Sequence, residues 1–404
     1  MDGKRLIEKI RLRNILSFGD KGEEIELQPL NIIIGQNASG KSNFIQIIKL
    51  LRDAANGYLA NSIRNTGGID EYLWKGSLGF PLAEISLFIS FNKIRENPIC
   101  YSLKFTKSGQ YFEIIEEEIA LTEQKDEKDF YYRNKNGHIE IVRWGKIKNE
   151  WEEEISREVQ VIDRGKLSPE NSVLAEFSDP INYEVINKIS DSFGDIHIYK
   201  DWEFSYNRPP RRPIETNNSS KFLSENAENL ALVLSGLQHN VRLFEKIVTY
   251  LRKFYDRLEK LQTIPQTGTE QIYFQETGLE KLVSAYRFSD GTLRYLCLLA
   301  ILCHPEPPPL ICIEEPETGL HPDILPTIAE LMKEARHRTQ LIVTTHSDIL
   351  VSAFSDMPEA VLVCEKDEDG THFKRLEKDR LKAWLEEYEL GDLWLKGEIG
   401  GKRW

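Results

Sequence analysis

The stretch NIIIGQNASGKS, residues 31–42, runs three consecutive isoleucines into Gly35 and then closes on Gly40, Lys41 and Ser42. A strand that breaks into GxxxxGKS and continues as a helix is a specific mark of nucleoside triphosphate binding. Gly35 and Gly40 let the backbone turn tightly, so that successive amides point into one concavity and cradle phosphate oxygens. The helix opening near Gly40 adds the positive end of its dipole at the same place. Lys41 is then placed to reach the β- and γ-phosphates, and the Ser42 hydroxyl to ligate Mg²⁺. Nucleotide contacts are expected from Gly35, Gln36, Asn37, Ala38, Ser39 and Gly40 through Lys41, Ser42 and Asn43.

Three segments of the C-terminal third make sense beside this loop. Leu310–Glu314 is an apolar run that ends in the carboxylates Glu314 and Glu315, with Pro316 and Glu317 following. It reads as a buried parallel strand. Glu314 would face the Mg²⁺, directly or through water, and Glu315 would polarise the attacking water. The segment Phe288-Ser289-Asp290-Gly291-Thr292 precedes the apolar run LRYLCLLAIL, so Ser289 reads as the N-cap of a helix from about Gly291 to Cys303. Read alone, it is a capped helix. Beside the first loop it is a second anion-binding device, one that a facing copy of the chain could use to close a nucleotide. Leu341–Ser347 is another apolar strand, and it ends at His346, next to a helix-capping Ser347.

Composition narrows the remaining classes. Of the 404 residues, 29% are charged and 40% hydrophobic, the balance of a soluble globular chain long enough for two to three units. No apolar run approaches the length of a membrane span, and Met1–Arg5 leads into no signal-peptide core, so a cytoplasmic location is expected. The five cysteines show no CxxC spacing, which points to reduced thiols rather than zinc binding. A net charge of −13 speaks against a surface that coats DNA generally, while leaving room for a local basic groove.

Taken in order, GQNASGKS, FSDGT, ICIEEPETGLHP and VTTHS resemble the Walker A, signature, Walker B/D-loop and switch-histidine elements of ABC-type ATPase heads. The likeness is to the RecF/SMC-like group, and within it to stand-alone AAA-family ATPases related to the ATPase half of overcoming-lysogenisation-defect (OLD) nucleases. It covers residues 1–60 and 285–404, including the closing GDLWLKGEIGGKRW. The opening IRLRNILSFG, residues 10–19, matches the group's first strands, and the resemblance puts Arg13 and Asn14 near the base or phosphates. It makes Ser289, Asp290, Gly291 and Thr292 the signature that acts in trans, and His346 the residue that senses the γ-phosphate. The chain departs from many ABC heads in carrying Glu314 where they carry aspartate and SDGT where they carry SGGQ.

The resemblance implies an α/β P-loop NTPase head, formed by residues 1–92 and 280–404, with a large α+β lobe inserted at 93–279. The lobe begins β-rich, with Asn136-Gly137 as a hairpin turn, and the stretch from Glu113 to Asp129 reads as a solvated acidic face. Apolar positions at three/four spacing over 221–262 predict two helices broken near His239-Asn240. No heptad run is long enough for a coiled-coil arm. The dense basic cluster is Arg208, Arg211 and Arg212, preceded by Trp202, Phe204 and Tyr206. It reads either as a nucleic-acid contact or as an exposed connector whose arginines pair with nearby acids.

The expected activity is Mg²⁺-dependent ATP hydrolysis by a head-to-tail homodimer, with Lys41, Glu315 and His346 as the catalytic set and Ser42 and Glu314 on the metal. By resemblance, the dimer gates a separate nuclease or toxin in anti-phage defence or DNA repair, with DNA as a possible partner and no membrane. The alternative is an OLD-like nuclease or repair factor acting on nucleic acid directly. In that reading Asp367 and Asp369 would be Toprim-like metal ligands, but Asp369-Gly370 also reads as the turn of a hairpin.

Overall fold

The computed structural model describes residues 2–401 except 78, 80, 91–97, 110, 123–128, 149–152, 164 and 166. The boundary expected between residues 92 and 93 lies outside the described residues, as does part of the acidic stretch ending at Asp129. Among the described residues the strands are, in chain order, β1 (Ile7–Arg13), β2 (Glu23–Glu26), β3 (Leu30–Gly35), β4 (Ala83–Ile89), β5 (Ile99–Ser108) and β6 (Tyr111–Leu121). They continue with β7 (Phe130–Lys135), β8 (His138–Lys148), β9 (Glu153–Ile162), β10 (His197–Tyr199), β11 (Ile214–Glu215) and β12 (Leu258–Gln266). The last are β13 (Thr269–Glu276), β14 (Val283–Ser284), β15 (Leu310–Glu314), β16 (Gln340–Thr344), β17 (Val361–Asp367) and β18 (Gly370–Arg375).

A six-stranded sheet of order β10-β15-β16-β3-β17-β18 organises the molecule. Its strands are parallel except for β18, which returns antiparallel along β17. Every residue of β3 is buried, as both faces of a parallel sheet require. Successive side chains divide between two cores: Ile32 and Ile34 enter one, and Ile33 the other. The same alternation in β15 sends Ile311 and Ile313 to the first core and Leu310 and Cys312 to the second. The helix Asp290–Leu302 fills the first core, and the helix Lys41–Ala55 lies in the second. Cys297, Cys303, Cys312 and Cys364 are buried free thiols.

An eight-stranded antiparallel sheet, β2-β1-β4-β5-β6-β7-β8-β9, covers the second core. The strands of residues 99–162 therefore extend the sheet that β1 and β4 begin. Asn136 and Gly137 turn the β7–β8 hairpin, both at positive φ (53° and 84°), as a tight two-residue turn demands. Glu117 on β6 corrects the reading of Glu113–Asp129 as a solvated face. It is 1% exposed, accepting from the Tyr101 hydroxyl at 2.9 Å, from Ser172 Oγ and from the Val173 amide at 2.9 Å.

The third sheet joins β11, β12, β13 and β14. Two helices, Leu230–Gln238 and Val241–Phe254, do break at His239-Asn240, where the Asn240 side chain caps the second. The helical expectation fails outside them. Residues 224–229 are held by the Asn229 amide, which binds Ser224 N, Phe222 O and Ser219 O, so the first helix opens only at Leu230. Residues 258–266 form β12, because Thr267-Gly268 at positive φ folds them back onto β13. Leu258 and Leu261 fit a helical spacing yet are buried from a strand.

Several side chains join the two large sheets, among them Glu23 of β2, which accepts from Phe373 N of β18 at 2.8 Å, and Gln340. Gln340, fully buried at the head of β16, accepts from Leu6 N (3.1 Å) and Ile7 N (2.9 Å) and donates to Ile7 O (2.8 Å) and Gln28 O (3.1 Å).

Candidate nucleotide site

The loop after β3 is shaped by its neighbours as well as by its own sequence. Gly40 sits at φ 116°, and a β-carbon there would lie 2.2 Å from Thr371 Oγ1 on β18, so only glycine fits. Thr371 Oγ1 lies 2.8 Å from both Ser39 O and Ser17 Oγ, tying the loop to residues 14–19. The helix Lys41–Ala55 begins without a side-chain cap and without an acid of its own in its first turn, which leaves its first amides and its positive end to an anion. Lys41 is buried, and its ammonium donates to Gly35 O and Gln36 O, each at 2.8 Å. Burial pushes its pKa down.

Glu314 ends β15 two strands from β3, and Ser42 Oγ lies 3.4 Å from its Oε2. Burial pushes the Glu314 carboxyl up. A hydroxyl and a carboxylate at this spacing are hard oxygen donors of the kind Mg²⁺ takes when phosphates and water supply the rest, so the residues present fit the ion. Glu315 follows at φ 45° with its carboxylate half exposed, and its Oε1 is 3.7 Å from His346 Nε2 at the end of β16. The positive φ turns Glu315 out of the sheet toward the histidine.

Glu317 was missed by reading the sequence. Its Oε1 accepts from Thr345 Oγ1 at 2.8 Å and from His346 N at 2.7 Å, so it fixes the backbone that carries the histidine. Burial pushes this carboxyl up as well. The available signal was its place in Glu314-Glu315-Pro316-Glu317, an acid beyond the two that the chemistry needs.

Ser289 caps the helix Asp290–Leu302 as expected, accepting from Thr292 N at 3.0 Å. A β-carbon on Gly291 would lie 2.9 Å from Gly319 O, so the turns after Phe288 and after Glu317 are packed together. Arg13 and Asn14 close β1: Arg13 Nε donates to Asp20 O at 2.6 Å and Asn14 Nδ2 to Leu82 O at 3.2 Å. Beside the loop, Gln36, Asn37, Ala38 and Ser39 form one wall of a cavity of about 890 Å³ whose other walls include Glu365, His372 and Gly401.

The basic cluster divides. Arg208 and Arg212 are exposed, but Arg211 is 2% exposed, and its guanidinium is spent on the protein. It donates to Phe204 O, Phe288 O and the Asp290 carboxylate, which removes it from any nucleic-acid contact. Asp367 accepts from Asp369 N and His372 Nε2, and Asp369 pairs with Lys21, so both acids serve the β17–β18 turn. Among the described residues no group of three or more His, Cys, Asp or Glu could hold a metal ion, and no helix is long and apolar enough to cross a membrane.

The family model described as "AAA domain, putative AbiEii toxin, Type IV TA system" matches residues 30–352. The Old nuclease of Escherichia phage P2 is 28% identical over 177 residues, which is 40% of this chain and 30% of that protein. Among solved structures, the SmcHead bound to the C-winged helix domain of ScpA superposes over 93% of this chain and 99% of its own with a TM-score of 0.53 at 17% identity. The Smc head domain with an extended coiled coil bound to the C-terminal domain of ScpA, from Pyrococcus furiosus, superposes over 95% and 99% with a TM-score of 0.52 at 15% identity. The fold is thus that of an SMC-type P-loop head.

Proposed function

The chain belongs to the AAA-domain family whose model spans its two motif clusters, and from that premise we propose that it is an ATPase working as a nucleotide-closed dimer. The observation that carries this reading is the convergence of Lys41, Ser42, Glu314, Glu315 and His346 on the C-terminal ends of β3, β15 and β16. Ligands of open α/β sheets bind at those ends.

Lys41 leaves its loop carbonyls for the β- and γ-phosphates, where its point charge offsets theirs. Ser42 and Glu314 would hold a Mg²⁺, which would supply charge neutralisation of the phosphate oxygens. Glu315 accepts the proton of the attacking water. His346, held by Glu317, lies against Glu315 and lines the same side of the γ-phosphate. Ser289, Asp290, Gly291 and Thr292 of a second chain close the nucleotide, which itself bridges the two copies. Loss of the γ-phosphate removes that bridge, so ATP and ADP favour different states of the dimer. The head is built from residues 1–92 and 280–404 together with β10, which pairs with β15 in its central sheet, and an effector would be engaged through the rest of 93–279.

The family description and the Old nuclease relative support a role in defence or genome maintenance; by analogy with that group, the ATPase gates a nuclease or toxin, near DNA and in the cytoplasm. The chain's match spans under a third of that relative, so its activity is not carried over.

Glu315→Gln tests the reading. It should keep ATP affinity, lower turnover by about 10²- to 10⁴-fold as loss of a general base does, and accumulate a dimer with ATP by light scattering. Turnover like the unsubstituted protein, or unchanged mass with ATP, would overturn it.

A further inference from the structure

We infer that Arg211 is a positioning residue for the Ser289 turn, and that it neutralises the acid this chain carries there. The inference rests on the reading that the turn faces a partner's triphosphate. Arg211 Nε donates to Phe204 O at 2.9 Å, and one terminal nitrogen reaches Phe288 O and lies 3.4 Å from both Ala285 O and Tyr286 O. The other terminal nitrogen pairs with Asp290. The guanidinium also lies 4.7 Å from the Tyr206 ring centroid, and the Gln271 amide donates to the Arg211 carbonyl at 2.9 Å.

A buried cation needs this degree of pairing to be tolerated. What the pairing holds is the two residues on either side of Ser289. The carboxylate of Asp290 is 72% exposed on its side chain, at the mouth of the turn, while the Arg211 side chain behind it is 2% exposed. A bare carboxylate beside an incoming triphosphate repels it, and the cation behind Asp290 cancels that repulsion while the fork fixes its direction. Segment 201–213 thereby sets the geometry of the turn through Arg211. A general structural prop would make the same carbonyl bonds but would carry no penalty that depends on Asp290.

The experiment uses the full chain with Glu315→Gln as parent and measures the ATP-dependent dimer dissociation constant by sedimentation. Adding Arg211→Gln is expected to weaken dimerisation about tenfold or more, with a larger effect at low salt, because like charges are screened at high ionic strength. Binding of a fluorescent ATP analogue to the single chain should stay within about twofold, since the loop after β3 is untouched. Further adding Asp290→Asn should recover at least about threefold of the loss, the coupling expected of paired groups. If Arg211→Gln does not fold, Arg211→Lys keeps the charge without the fork and is expected to weaken dimerisation about threefold. Parent-like dimerisation of the arginine variant that folds overturns the inference. So does a glutamine variant that Asp290→Asn leaves unrescued. A parent that does not dimerise with ATP brings down the trans-site reading, and the inference with it.

Discussion

The ammonium of Lys41 is satisfied by two carbonyls of its own loop, so binding a triphosphate exchanges neutral acceptors for charged ones. Lys41→Ala is expected to weaken ATP binding about tenfold or more, each tenfold being about 1.4 kcal/mol, and titration calorimetry would read it. Affinity equal to that of the unsubstituted protein would remove Lys41 from the phosphate site. At this scale a sequence shows chemistry where residue type and spacing are both demanding. Gly40, Lys41 and Ser42, with Glu314 and Glu315, are that kind of pattern. Arg211 left two readings open because an arginine among prolines and aromatics looks the same whether it serves a phosphate or pairs with an acid and a carbonyl cage, as it does here. Only the fold at Phe288 decides between them.

Among elements, the sheet edge that carries Glu117 joins local structure to solution behaviour. Burial pushes its carboxyl up to about 7, against which its three hydrogen bonds work. Below about pH 4.5 the group is protonated folded or unfolded. Between there and about 7 only the folded chain keeps the proton, so stability is fully present at low pH and is lost as pH rises through about 7. The shift is worth at most on the order of 3 kcal/mol. Glu117→Gln keeps the network, since the hydroxyls of Tyr101 and Ser172 can turn to accept, and it should flatten this part of the denaturation-midpoint profile. An unchanged slope from pH 4.5 to 7.5 would show that the carboxyl does not titrate there. The acid run hid this residue because the acids flanking it, Glu116 and Glu118, are only half-buried. In β12, likewise, the three-residue step from Leu258 to Leu261 fits a helix, and a register shift between Leu258 and Lys260 lets both be buried from the strand that the turn at Thr267-Gly268 folds back.

Across the whole molecule, the head was legible because its strands end in motifs, whereas the extension of the β1 sheet through residues 99–162 carries none. Pairing partners across such distances depend on faces and turns, and alternation reports a strand without naming its neighbour. The latch between the two large sheets is equally silent: nothing in a lone Gln340 announces four hydrogen bonds. Gln340→Ala should lower stability by roughly 2–4 kcal/mol, because it strands buried backbone groups at Leu6 and Ile7. It should also speed hydrogen exchange of those two amides, and exchange as slow as in the unsubstituted protein would assign the joint elsewhere. The latch sits at one side of a broad panel, with six strand spacings between β1 and β9. At about 4.8 Å per spacing the far strand lies roughly 29 Å away, so a tilt of about 5° at the amide carries it through about 2.5 Å. Slack in that amide is thereby magnified across the width of the panel, and its outermost strand registers what the joint itself scarcely shows.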